Sequence, residues 1–249
     1  MKGKAFSGRW RLVQHPGVRF SVLAMVVVAY GNLSGPWAVG GLLGQPLFEG
    51  SQILLLAAVL TWGLYLEQLR PADLGLTLRN LGPSVGWGAL AGCLMALPAL
   101  VFFAFPVLAP SPVRYEPYAG LSLGSFVMVG LVRPLFDTAI FEETLFRGVI
   151  QARGIRGLGV SRGIALTCVL FILWHGFVTY STIGQTNLTS AVLPVPLLVV
   201  SAALPLAGAG LVFSLIRHYT GNLAGCVAAH WVVNSLMRVF LVLQVLPAA

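Results

Sequence analysis

The sequence predicts an all-α fold: a polytopic membrane helix bundle of about seven transmembrane helices, with its N terminus in the cytoplasm. Three observations support this. The mean hydropathy is +0.89. The 249 residues are 57% hydrophobic and 9% charged, and the apolar runs reach the roughly 20 residues that one crossing needs. The basic residues gather in alternate loops. Lys2, Lys4, Arg9, Arg11 and Arg19, then Arg70 and Arg79, then Arg153, Arg156 and Arg162, then Arg217 fall on one side, and Arg114 alone on the other. That asymmetry marks a cytoplasmic face.

Residues 1–19 form a basic arm suited to an anionic membrane surface, and residues 20–249 form a single transmembrane domain. The first span, Phe20 to Leu43, is too long for a cleaved signal and carries Gly40 and Gly44 for close packing. The second covers Gln52 to Leu66. Glu67 to Pro83 is a polar connection with room for a short interfacial helix, for which Asp73 is a candidate N-cap. The third span, Val85 to Phe105, bears Gly88 and Gly92 at contact spacing. Pro106, Pro110, Pro112 and Pro117 then force an irregular loop. The fourth helix runs from Ser122 to Ala152, about 30 residues or roughly 45 Å, longer than the hydrocarbon is thick. The fifth covers Gly163 to Thr182. The sixth, Ala191 to Ile216, contains Pro194, Pro196 and Pro205 and should bend. The seventh runs from Leu223 to Leu246.

Function must lie where polar groups enter these spans. The net charge of +8 comes from loop residues, which fits membrane lipids as partners and no nucleic acid. Cys93, Cys168 and Cys226 all fall inside spans without ligand spacing and read as small buried apolar groups. The exception to the apolar pattern is Phe141-Glu142-Glu143-Thr144-Leu145-Phe146-Arg147. Charges inside a span persist when paired and turned inward. Glu143 and Arg147 are i,i+4 neighbours and can pair. Glu142 points about 100° away, free for chemistry. Counting helical rise from the cytoplasmic ends puts Glu142, His175 and His230 at a common depth of roughly 12–18 Å, and Asn234 lies one turn beyond His230. Such a group suits either a general base acting on water or a metal site. Neither H-E-x-x-H nor G-x-S-x-G occurs.

Three stretches carry a resemblance. Glu142-Glu143-Thr144-Leu145-Phe146-Arg147 resembles the E-E-x-x-x-R motif of the CPBP family, which contains the CAAX prenyl protease 2-like and bacteriocin-processing intramembrane endopeptidases. Phe171-Ile172-Leu173-Trp174-His175 is similar to its F-x-x-x-H motif, and His230-Trp231-Val232-Val233-Asn234 to its H-x-x-x-N motif. They occur in the family's order within a core of residues 122–246. The resemblance implies an intramembrane endopeptidase that cuts near the C terminus or leader of a membrane-associated substrate. Glu142 would activate water with His175, His230 and Asn234 would stabilise the oxyanion, and Glu143, Arg147 and Phe171 would support them. No cofactor is needed for a glutamate-type enzyme; a metal-dependent one would place zinc on Glu142, His175 and His230. The substrate classes implied are a prenylated CAAX-like protein, a leader peptide or a C-terminal sorting helix. The scarcity of lysine fits a GC-rich bacterium and hence a multi-pass inner-membrane protein. Two other classes stand beside it: a proton-coupled transporter with Asp137, Glu142 and His175 as a relay, and a non-catalytic immunity or scaffold protein, which would not need Glu142, His175 and His230 together.

Overall fold

The structure, a computed structural model, describes residues 15–35, 44–105, 113–188 and 194–243. Lys2, Lys4, Arg9, Arg11, Gly40, Pro106, Pro110 and Pro112 lie outside the described residues, as does most of the basic arm. Among the described residues the chain is all-helical, with an isolated bridge between Tyr115 and Thr186 and no strand. Among the described residues, six helices are long and apolar enough to cross a membrane, or seven when a bent pair counts as one span.

Helix α1, Pro16–Leu33, starts earlier than expected because His15 caps it, its Nδ1 accepting from the Gly17 N–H, with Pro16 at the first position. Helix α2, Gly44–Leu66, also begins sooner than Gln52. Gln45 and Glu49 are tolerated inside it because they satisfy each other, Gln45 Nε2 donating to Glu49 Oε1 at 3.0 Å, and because Glu49 takes the Arg133 guanidinium. The connection to α3, Leu81–Ala104, is built of turns rather than a helix. Asp73 is not an N-cap there. Its carboxylate accepts from the Arg70 backbone N–H at 2.8 Å and from the Arg70 and Arg156 guanidinium groups. The Arg70 hydrogen bonds hold its pKa below the usual aspartate value.

Helix α4 spans Leu123–Leu158, 36 residues, ending where Gly159 takes φ +81°. At roughly 54 Å it exceeds the bilayer core. Much of it runs in wide i→i+5 turns at Val127–Val132, Leu135–Ile140 and Thr144–Ile150. Wide turns leave carbonyls imperfectly paired, and lipid offers them no water. Side chains serve them instead. Pro134 has no N–H for Gly130 O, and Arg238 Nη1 donates there at 3.2 Å. Trp231 Nε1 donates to Leu131 O, Gln52 Nε2 to Asp137 O and Thr144 Oγ1 to Ile140 O.

The expected fifth span is two helices, α5 Val160–Trp174 and α6 Gly176–Gly184, bent by 41° at His175. Helix α7, Val195–Thr220, follows Pro194 and contains Pro205. Helix α8, Ala224–Leu243, completes the bundle.

Arg19 and Arg153 both reach the buried Glu67 at the end of the bundle where Arg156 and Arg217 meet the Asp73 turn. Of the cations counted by loop, Arg19, Arg70, Arg153, Arg156 and Arg217 therefore collect at one end. Helix α3 lies along α8 through Gly88 and Gly92, as their spacing predicts. A Cβ on Gly88 would collide with the Gly225 backbone. Gly88→Ala is expected to lower stability by about 1–3 kcal/mol through overpacking, measurable as a lower unfolding midpoint in detergent. The exposed Gly86→Ala, which meets nothing within 4 Å, serves as the comparison.

Candidate active site

The site forms where α4 crosses α5, α7 and α8. Residues 141–150 are all buried. Glu142 and Glu143 are neighbours in sequence and face different helices, as their 100° separation requires.

Glu143 turns toward α7 and α8. Arg147 Nη1 donates to its Oε1 at 2.9 Å, and Nη2 donates to Gly210 O at 3.2 Å. Both side chains have zero exposure. Gly210 lies directly beside the guanidinium, a Cβ there falling in van der Waals contact at 3.6 Å from Arg147 Nη2. The guanidinium lies over Phe171 at 4.2 Å and Phe213 at 5.1 Å, so aromatic faces replace solvent around it. His230 joins the same carboxylate, Nδ1 donating to Glu143 Oε1 at 2.8 Å while its ring stacks on Phe213.

Glu142 turns toward α5. Trp174 Nε1 donates to its Oε1 at 3.2 Å. Its Oε2 faces His175 Nε2 at 3.5 Å. His175 Nδ1 lies 2.7 Å from Phe171 O, a carbonyl that can only accept. The proton is therefore on Nδ1, and Nε2 of the neutral ring is an acceptor. Two acceptors, Glu142 Oε2 and His175 Nε2, thus converge on one small volume. Phe171 packs its edge on His175 with ring centroids 4.3 Å apart and offers its face to Arg147, linking the two halves.

Each residue expected from the sequence is in this region. Glu142 and His175 face each other, while His230 meets Glu143 rather than Glu142. Asn234 stands one turn beyond His230 on α8, half-buried and making no hydrogen bond among the described residues. His230 commits Nδ1 to Glu143, which leaves its Nε2 as the nitrogen open to the site. Among the described residues, no three His, Cys, Asp or Glu side chains are grouped to hold a metal ion. Asp137, Arg133 and Glu49 form a separate group, with Arg133 Nε 3.8 Å from Asp137 and its Nη2 on Glu49.

In the sequence Trp174 stands only as a position within the F-x-x-x-H stretch. Yet a tryptophan N–H buried in a span needs an acceptor, and Glu142 is the one it finds.

Fold and site together define a class: a helical membrane protein enclosing a glutamate–histidine pair within its spans. Residues 122–236 match the family model described as type II CAAX prenyl endopeptidase Rce1-like, the same stretch that carries the three motifs similar to those of the CPBP family. No curated protein and no solved structure matches the chain. The family supports an intramembrane protease of the CAAX type acting on a membrane-associated peptide.

Proposed function

We propose that this protein hydrolyses a peptide bond near the C terminus or leader of a membrane-associated substrate, with Glu142 as the general base. The observation that carries this reading is the pair of acceptors, buried Glu142 Oε2 and half-buried His175 Nε2, 3.5 Å apart. A water seated there donates one proton to each and directs a lone pair outward. As its oxygen attacks the scissile carbonyl carbon, Glu142 takes the proton. When the tetrahedral intermediate collapses, Glu142 returns that proton to the amine nitrogen as the C–N bond breaks. The products are a new carboxylate and a new amine. Trp174 keeps the carboxylate aimed, and the His175 Nδ1–H bond to Phe171 O fixes the tautomer.

The oxyanion is assigned to Asn234 Nδ2 and His230 Nε2. His230 Nδ1 is occupied by Glu143, so Nε2 donates only from the doubly protonated ring, whose charge Glu143 Oε1 faces at 2.8 Å. Glu143 and Arg147 hold that ring in place. No step of this mechanism requires a metal, and the glutamate-type reading is preferred to zinc on Glu142, His175 and His230 because no three His, Cys, Asp or Glu side chains among the described residues are grouped to hold an ion. The basic end of the bundle faces the cytoplasm, in an inner membrane crossed several times.

The test is a panel of a prenylated CAAX peptide, a leader peptide and a C-terminal sorting helix, incubated with detergent-purified protein whose metal content has been measured. Cleavage of one class without stoichiometric metal is expected. Stoichiometric zinc whose chelation reversibly stops cleavage would overturn the glutamate-type mechanism.

A further inference from the structure

The bend at His175 is bridged by a residue far outside the matched region. Asn32 sits one residue from the end of α1. Its Nδ2 donates to Leu173 O at 2.8 Å, and its Oδ1 accepts from the Phe177 N–H at 2.9 Å. In an unbroken helix those two backbone groups, four residues apart, bond to each other. One carboxamide has been inserted into that bond and satisfies both halves. The second Nδ2 proton goes to Val28 O at 2.8 Å within α1, so the amide is held from its own side as well. The chain then closes more tightly at the break, His175 N–H donating to Ile172 O at 3.1 Å, and resumes with Thr179 N–H on His175 O at 2.9 Å.

The insertion requires α1 to come very near, and the sequence clears the way. A Cβ on Gly31 would lie 2.5 Å from the Trp174 ring and 2.8 Å from its carbonyl, and one on Gly176 would lie 2.7 Å from Asn32 Oδ1. A Cβ on Gly35 would collide with the Phe177 ring. Tyr30 adds a stacked contact on Trp174, centroids 5.9 Å apart. The residues flanking the insertion are the ones that meet Glu142: Trp174 through Nε1 and His175 through Nε2.

We infer that Asn32 is a positioning residue of the active site: by replacing the Leu173–Phe177 backbone hydrogen bond it sets the bend that brings His175 and Trp174 onto Glu142. Helix α1 is then part of the catalytic apparatus although it lies outside residues 122–236. This rests on the reading of His175 as a site residue.

Asn32→Asp and Asn32→Ala test it. The alanine variant lets the helix close, and a displacement of His175 by an ångström predicts roughly a 10²-fold lower kcat with little change in KM. The aspartate variant has a distinctive signature. Its ionised carboxylate accepts from Phe177 but cannot donate to Leu173 O; once protonated it does both, as the amide does. Its kcat relative to wild type should therefore rise as pH falls, while that of Asn32→Ala stays low throughout. Side-chain ¹⁵N spectra of histidine-labelled protein, with the signal assigned through His175→Gln, should show the His175 resonances shifted in Asn32→Ala. Unshifted resonances, or wild-type kcat in Asn32→Ala alongside an inactive His175→Gln, would overturn the inference. An equal deficit in both Asn32 variants at every pH, tracking a lower unfolding midpoint, would overturn it too. An active His175→Gln would instead remove the reading of the site on which it rests.

Discussion

Glu142→Gln is expected to abolish cleavage, with kcat falling by roughly 10²–10⁴-fold, the contribution of a positioned general base. The substitution is nearly isosteric, and the amide can be oriented so that its oxygen still accepts from Trp174 Nε1, now 3.2 Å away. The other atom facing His175 Nε2 then becomes an NH2 group. It donates to the lone pair that a water would have used and has no basicity to take a proton. Binding should survive: substrate ought still to protect the variant against thermal unfolding. The stability cost should also be small, because Glu142 has no guanidinium partner to orphan. A variant that cleaves at the wild-type rate would remove Glu142 from the mechanism. One that fails to fold would show that Glu142 is structural. Asp137, five residues earlier, is the internal comparison. Its carboxylate lies 3.8 Å from Arg133 and away from His175, so Asp137→Asn should leave kcat within a few-fold; a transporter relay would need it as much as Glu142.

How much of this was legible beforehand depended on whether the cause was local. The division between the two glutamates followed from helical geometry: i,i+4 spacing paired Glu143 with Arg147, and the 100° turn sent Glu142 elsewhere. Counting rise per residue brought His175 within reach of Glu142. It also brought His230 to the right region, but depth does not specify azimuth, and His230 turned to the deeper of the two carboxylates. The break at His175 could not be read at all. Residues 163–182 form an apolar run without proline, and Gly176 alone is a weak breaker. What opens that helix is an amide on α1, a tertiary cause with no local trace. The wide turns of α4 were hidden for the same reason. Pro134 announces a disturbance, but the donors that make the turns tolerable, Gln52, Trp231 and Arg238, come from α2 and α8.

Arg147→Met should be the most destabilising single change in the site. Arg147 and Glu143 are both fully buried, and removing one member of such a pair leaves the other ionised group without compensation, at about 3–5 kcal/mol. For a chain of this size that is on the order of 10 °C in Tm. The aromatic box of Phe171 and Phe213, which suits a guanidinium, cannot solvate the carboxylate that remains. Glu143 would keep only the His230 Nδ1–H bond, so activity should fall together with stability as that ring loses its fixed position. Glu143→Gln combined with Arg147→Met is the discriminating variant. With neither charge buried, methionine fills the space between the rings and the amide still accepts from His230, so most of the lost stability should return. Activity should return less completely, because the neutral amide no longer faces the charge on a doubly protonated His230. Recovery of stability without activity would separate the two contributions of the pair, its burial and its hold on His230. A double variant as unstable as the single one would mean that Arg147 acts through its shape and its bond to Gly210 O rather than through its charge.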